Sequence, residues 1–313
     1  MRGFISGLVT SCALAFLVSA GSAQRGPIPD LLIKEGRTAK LAAHTWVIPD
    51  GGVGGVPNVG IVVGSRGTLV IDPGLGRRSG EVVLREVAKI AQGSELYVAT
   101  THFHPEHTTG NLAFPPTAKY INSRTQEAEF AESGLATIRL FAGRSPVHAE
   151  LLKDAEGRSA DVLFDRDYTL DLGGVVVKFV LVGPAHTKGD TGFFVQGDDV
   201  LFSGDVVMNQ SFVTANATIS SVRAWLAAFD LFDALRPRVI VPSHGPIGDG
   251  SLIPTLRTVM VDIQTKTREM KAQGRSADDI AAALENEVRA AHPAWARLNG
   301  VGAAARAAYG EAP

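Results

Sequence analysis

Three histidines and a carboxylate fall within six residues, at His102, His104, Glu106 and His107, although the whole chain has only eight histidines. Neutral imidazole and carboxylate are the donors that zinc and similar cations accept. The cluster follows an apolar run, Leu96–Thr100, that reads as a strand. In extended backbone His102 and His104 point to the same side. Pro105 then turns the chain, so that Glu106 and His107 address a neighbouring point in space. One such loop can serve two metal ions a few ångströms apart.

Three further residues stand after strands or at turns: His186 in Gly183-Pro-Ala-His-Thr-Lys-Gly-Asp190, Asp205 in Leu201-Phe-Ser-Gly-Asp205, and His244 in Val241-Pro-Ser-His-Gly245. Each alone is an ordinary turn; their order behind the first cluster makes them a set. Asp72 reads equally as an acceptor for a ligand imidazole and as a strand-end turn, while Asp190 and Thr187 read more as turn residues. His44, His148 and His292 fall outside the pattern, and Trp46, Trp225 and Trp295 read as packing residues.

The pattern resembles the metallo-β-lactamase-fold hydrolase superfamily, from about Val59 to His244. The superfamily's His-x-His-x-Asp-His, then His, Asp and His, fall on His102, His104, Glu106, His107, His186, Asp205 and His244. The resemblance implies an α/β fold, a four-layer αβ/βα sandwich with the metals at one rim. It implies that His102, His104 and His186 hold one metal and Glu106, His107 and His244 a second, with Asp205 bridging. The cofactor expected is Zn2+, two per chain. The implied chemistry is hydrolysis, a metal-bound hydroxide attacking a carbonyl-type centre of an ester, lactone, thioester or β-lactam, with Glu106 and Asp205 serving the reaction. One departure matters. Glu106 stands where the superfamily has Asp, one methylene shorter, which leaves open a weak second site, iron or manganese in place of zinc, and a mononuclear iron persulfide dioxygenase-like oxidoreductase. β-Lactam hydrolysis as the main activity is the other alternative. The partner expected is a small molecule.

The elements that must position these residues are mostly short strands: Thr45–Ile48, Val59–Val63, Thr68–Ile71, Leu96–Thr100, Tyr168–Leu170, Val175–Leu181 and Arg238–Val241. Helices are expected over Ser79–Ala91, over Gln126–Lys153 with a break near Gly143–Pro146, and over Ser221–Leu235, Leu252–Ala272 and Ser276–Ala290. Ser276 and Asp279 resemble a capping box. The runs Gly60–Asp72 and Gly192–Asp205 look alike, each two apolar strands about a turn and then an Asp, which hints at two similar halves with both aspartates at one rim. The segment Gly51–Asn58 reads as a plain flexible turn, and residues 24–40 as a loosely packed leader.

Residues 1–23 carry the marks of an export signal: Arg2, an apolar stretch from Phe4 to Val18, and small residues ending at Ala23. Cys12, the single cysteine, falls within that segment, where lipidation is disfavoured by the apolar run after it. The expected organisation is a signal peptide over 1–23, a metallo-β-lactamase-like domain over 24–250 and a helical C-terminal extension of the same domain over 251–313, in an exported protein, periplasmic or secreted. No stable membrane span is expected after cleavage. Lys+Arg of 30 against Asp+Glu of 32 gives no basic excess for a nucleic-acid partner.

Overall fold

Alternate residues of the central strands enter different cores, as a sheet covered on both faces requires. The computed structural model describes Met1 and residues 30–91, 93, 95–213 and 218–311. The expected signal segment 1–23, with Cys12, lies outside the described residues apart from Met1. One sheet has seven strands in sequential order: β1 (Ala39–Lys40), β2 (Thr45–Ile48), β3 (Val59–Val63), β4 (Gly67–Ile71), β5 (Glu95–Ala99), β6 (Lys119–Ser123) and β7 (Val162–Phe164). The second has six, running in the order β13-β12-β11-β10-β9-β8: β8 (Asp167–Asp171), β9 (Val176–Leu181), β10 (Thr191–Val195), β11 (Val200–Gly204), β12 (Val239–Pro242) and β13 (Gly248–Asp249).

Val62, Leu69, Ile71 and Ala99 of the first sheet and Phe193, Val195, Phe202 and Val241 of the second share one core between the sheets. Ile61, Val63, Val70 and Val98 turn the other way, into a core with Val82, Val83 and Val87 of α1 (Gly76–Val87). Phe194, Leu201 and Ile240 face a third core with Trp225, Phe229 and Phe232 of α6 (Val222–Ala234). The result is four layers, helix, sheet, sheet and helix. Gly60 of β3 is one residue that the close approach demands: a Cβ there would stand 2.5 Å from the Phe202 ring of the facing sheet.

The remaining helices are α2 (Pro105–Thr108), α3 (Arg124–Glu129), α4 (Leu135–Ala142), α5 (Pro146–Leu152), α7 (Leu252–Ala272), α8 (Ala277–Ala291) and α9 (Asn299–Glu311). Helices α7, α8 and α9 contribute Ile263, Leu284 and Ala304 to the same core as Trp225. Ser276 caps α8, its hydroxyl accepting from the Asp279 amide at 3.2 Å. Among the described residues no helix is long and apolar enough to cross a membrane.

The hint of two halves has a counterpart in the topology. Antiparallel β3 and β4 lead to Asp72 and α1, and β5 then lies parallel to β4. Antiparallel β10 and β11 lead to Asp205, α6 follows, and β12 then lies parallel to β11.

Three expectations are corrected. The stretch after Asp30 is no loose leader: Leu31 and Ile33 are 2% and 3% exposed, β1 pairs with β2, and Gly36 N–H donates to Glu86 at 2.9 Å. Two apolar side chains in a polar stretch suffice to dock it on α1. That helix begins three residues earlier than expected and ends at Val87. The helical run after Ser123 is divided among α3, a π-helical turn at Phe130–Gly134, α4 and, after Pro146, α5.

Candidate metal centre

Strand β5 ends at Ala99 and releases Thr100–His104 in extended or bent backbone before Pro105 opens α2 at its first helical position. His104 is the residue before that helix, so the chain reverses there and Glu106 and His107 come to the rim from the helix. The other residues arrive from the second sheet. His186 sits between β9 and β10, Asp205 directly follows β11, and His244 follows β12. Gly204, at φ +62°, lets β11 end against Thr101, whose Cβ would lie 3.0 Å from an added methyl.

The seven residues converge on two adjoining groups. His102 Nε2 and His104 Nδ1 are 3.0 Å apart, and His186 Nε2 lies 3.2 Å from the same His104 nitrogen. His107 Nε2 stands 3.9 Å from Glu106 Oε1, and the His107 and His244 rings are 5.2 Å apart. Within each triad one donor atom per residue lies within 4.8 Å of the others. Asp205 lies between, with Oδ2 at 3.7 Å from His186 Nε2 and Oδ1 at 3.8 Å from His244 Nε2.

Each imidazole is oriented from behind. Asp72 Oδ2 accepts from His107 Nδ1–H at 3.0 Å, which leaves Nε2 bare toward the centre. The Val56 carbonyl accepts from His244 Nδ1–H at 2.8 Å. The Thr101 hydroxyl donates to Asp72 at 2.8 Å, so His102 Nδ1–H donates to Thr101 at 3.1 Å. The His186 turn is tied to Asp190, which accepts from Thr187 N–H at 2.9 Å and from the Thr187 hydroxyl at 2.7 Å. Glu129 takes the amides of Lys188 and Gly189, both at 3.0 Å.

The donor set fits metal ions. Among the described residues eight buried side-chain nitrogen or oxygen atoms have no partner, and three of them, Glu106 Oε2, His107 Nε2 and Asp205 Oδ1, lie in this cluster. Buried polar atoms are otherwise hydrogen-bonded, and three orphans at one point are what a cation satisfies.

The chain matches the family described as metallo-beta-lactamase superfamily over residues 52–244. It belongs to that superfamily. Among solved structures it is similar to a metallo-beta-lactamase from Pontibacter korlensis, at 21% identity and TM-score 0.58 over 72% of this chain and 98% of that one. It is similar to the stereoselective inverting sec-alkylsulfatase Pisa1 from Pseudomonas sp., at 15% identity and TM-score 0.65 over 88% of this chain and half of that one (50%). The DIM-1 metallo-beta-lactamase gives 16% identity and TM-score 0.56 over 73% of this chain and 98% of that one. At these identities the likeness speaks for the fold.

Charge in this superfamily member's centre follows from its burial. Burial first, then the neighbouring imidazoles, hold His102 and His104 well below the usual histidine range. Burial also lowers His244, against the pull of Asp205. These imidazoles are neutral at pH 7, the form that ligates. His107 goes the other way in the metal-free centre: burial opposes its charge, but the Asp72 carboxylate, with Glu106 and Asp205, pushes it up to about 9, so an ion bound at Nε2 would have to displace a proton there. Burial would raise Asp205, yet His244, His186, His107 and Arg297 together hold it well below the usual carboxylate range.

The segment Gly51–Asn58, expected as a flexible turn, is held at both ends. Asn58 Nδ2 donates to the carbonyls of Pro242 and Gly245, both at 2.9 Å, and Asp50 accepts from Gly245 N–H at 2.7 Å. Both ends of the turn are thereby fastened to the His244 loop. His148 lies near the rim, half-buried, with Nδ1 2.9 Å from the Ser145 hydroxyl. His44 and His292 are engaged elsewhere, His44 with the Val63 carbonyl and His292 stacked on Trp295. Sequence reasoning did not single out Thr101, Ser243, Val56, Glu129 or Arg297. Most act through backbone atoms or common hydroxyls, which carry no pattern in sequence.

Proposed function

We propose that this chain is an exported, dinuclear zinc hydrolase acting on an ester, lactone, thioester or β-lactam. The reading rests on one observation above all: two triads of oriented donors with Asp205 directing one oxygen toward each. His102, His104 and His186 would hold the first ion, Glu106, His107 and His244 the second, and Asp205 both. Ions there would supply a water whose pKa is lowered to about 7 and Lewis-acid stabilisation of charge on the carbonyl oxygen.

The chain's own residues supply the rest. Asp72, the Val56 carbonyl and Thr101 hold His107, His244 and His102 in the tautomer that aims Nε2 inward. Glu106, with Oε2 unpartnered, is assigned the proton that passes to the leaving group. The second triad favours two ions over the mononuclear iron alternative: Glu106, for all its extra methylene, stays within 4.8 Å of the His107 and His244 donors. Export rests on the signal pattern of residues 1–23, with cleavage after Ala23 and a periplasmic or secreted mature chain.

The test is metal analysis of the protein from Gln24 onward, beside Glu106→Asp, followed by turnover of nitrocefin, a lactone and a thioester. About two zinc ions in both, with turnover of at least one substrate, is the expected outcome. A single iron would overturn the hydrolase reading and call for a persulfide oxidation assay.

A further inference from the structure

Arg297 enters the metal centre from the helical C-terminal region, outside residues 52–244 that match the superfamily. The segment that carries it is tied to the loop after Asp205. Ala296 N–H donates to the Gln210 carbonyl and Phe212 N–H to the Ala296 carbonyl, both at 3.0 Å. Arg297 itself has φ +54°, a conformation a non-glycine residue keeps only where its surroundings enforce it. Among the described residues its side chain makes one hydrogen bond, to Asp205 Oδ2, at 3.4 Å through a single nitrogen. Arginine–carboxylate pairs are frequently short and two-pronged, and this contact is neither. Here most of its five N–H donors are left over, and the side chain is 34% exposed.

Those donors border a cavity of about 220 Å3, lined also by His244, Asn209, Gln210, Ser211 and Asp50. Asp50, the one carboxylate of the lining, is already engaged, accepting from the amides of Gly52 and Gly245 at 2.9 and 2.7 Å. Arg297 is therefore the cation of a cavity that opens beside the second triad. We propose that Arg297 is a specificity-determining residue, anchoring an acidic group of the substrate, a carboxylate or a sulfate, in this cavity. The inference rests on the hydrolase reading above. In that reading Asp205 spends its charge on the metals, which leaves the guanidinium uncompensated until an oxoanion arrives.

The experiment compares wild type, Arg297→Gln and Arg297→Lys, all metal-loaded, on two esters. One is the 4-nitrophenyl monoester of glutaric acid, with a free carboxylate; the other is its methyl-capped neutral analogue. Loss of a charge-assisted hydrogen bond should raise KM for the acidic ester about tenfold or more in Arg297→Gln. The ratio of KM for the acidic ester to KM for the neutral one should rise by that factor, over and above any loss the two esters share, and Arg297→Lys should fall between. Equal loss on both esters would overturn the proposal and make Arg297 a support for Asp205; no loss on either would overturn it too. A second readout needs no turnover: calorimetric binding of glutarate and of inorganic sulfate. Wild type should bind at least one and Arg297→Gln neither, and the one bound tells carboxylate from sulfate. Equal binding by the two proteins, or none by wild type, overturns the anchor. Should neither ester be cleaved by wild type, the hydrolase reading fails for this class while calorimetry still decides the anchor.

Discussion

Asp72 and Asp205 occupy corresponding places, each just past an antiparallel hairpin and each followed by a helix and a parallel strand, yet their surroundings differ. Asp72 accepts from Thr101 N–H at 2.7 Å, the Thr101 hydroxyl at 2.8 Å, His107 Nδ1–H at 3.0 Å and the Ser243 hydroxyl at 3.1 Å. Asp205 keeps one oxygen with no partner and faces His186 and His244 across gaps of 3.7 and 3.8 Å. The difference lies in what the opposite wall offers. Donors that already have an acceptor position turn a strand-end carboxylate into a brace; bare imidazole nitrogens turn it toward an ion.

The largest effect is expected at Asp205. Asp205→Asn should bring turnover to the uncatalysed background and lower the bound metal, read by metal analysis of the purified variant. Asp72→Asn should cost less, roughly 10–100-fold in metal affinity or activity, because it disturbs a ligand's orientation rather than removing a ligand. Equal losses would break the comparison. Asp72→Asn should also lower stability by about 1–3 kcal/mol in urea unfolding, since an amide cannot accept from all four donors.

A smaller effect concerns pH in the chelated protein. His107 is raised from 6.5 to about 9, so the stability it contributes is whole below pH 6.5 and is lost as pH rises through about 9. His102, His104 and His244 lie below 6.5, so the unfolded chain takes up protons that the folded one refuses as pH falls through that value. Urea midpoints should therefore peak near pH 6.5 and fall on both sides, and Asp72→Asn should flatten the alkaline limb. The smallest effect is at Ser243, whose hydroxyl reaches Asp72 from the other half. Ser243→Ala should cost about 1 kcal/mol, with turnover kept within a few-fold.

Much of the layered architecture was legible because β3, β4, β10 and β11 are buried along their whole length and so read as unbroken apolar runs. Strands β6 and β7 escaped notice: β6 mixes Lys119 and Asn122 with its apolar residues, and β7 is only three residues long. The metal-ligating set was visible since histidine is scarce and its spacing distinctive. Its supports were not. A Val56 carbonyl or a Thr101 hydroxyl becomes meaningful only when β5, β12 and the turn after Asp50 meet at one rim. Arg297 lies 53 residues beyond His244 in a chain with ordinary arginine content, and only the tether to Gln210 brings it back.

The acceptor that orients His244 is a main-chain oxygen, and this alters how the site can vary. Every residue type has that carbonyl, so substitution at Val56 leaves the acceptor in place. What removes it is a change in the number of residues between Asp50 and Asn58, both ends of which are fastened to the His244 loop. The second triad is thus robust to replacement of Val56 itself and exposed to insertion or deletion around it, and loop length becomes the inherited variable that tunes it.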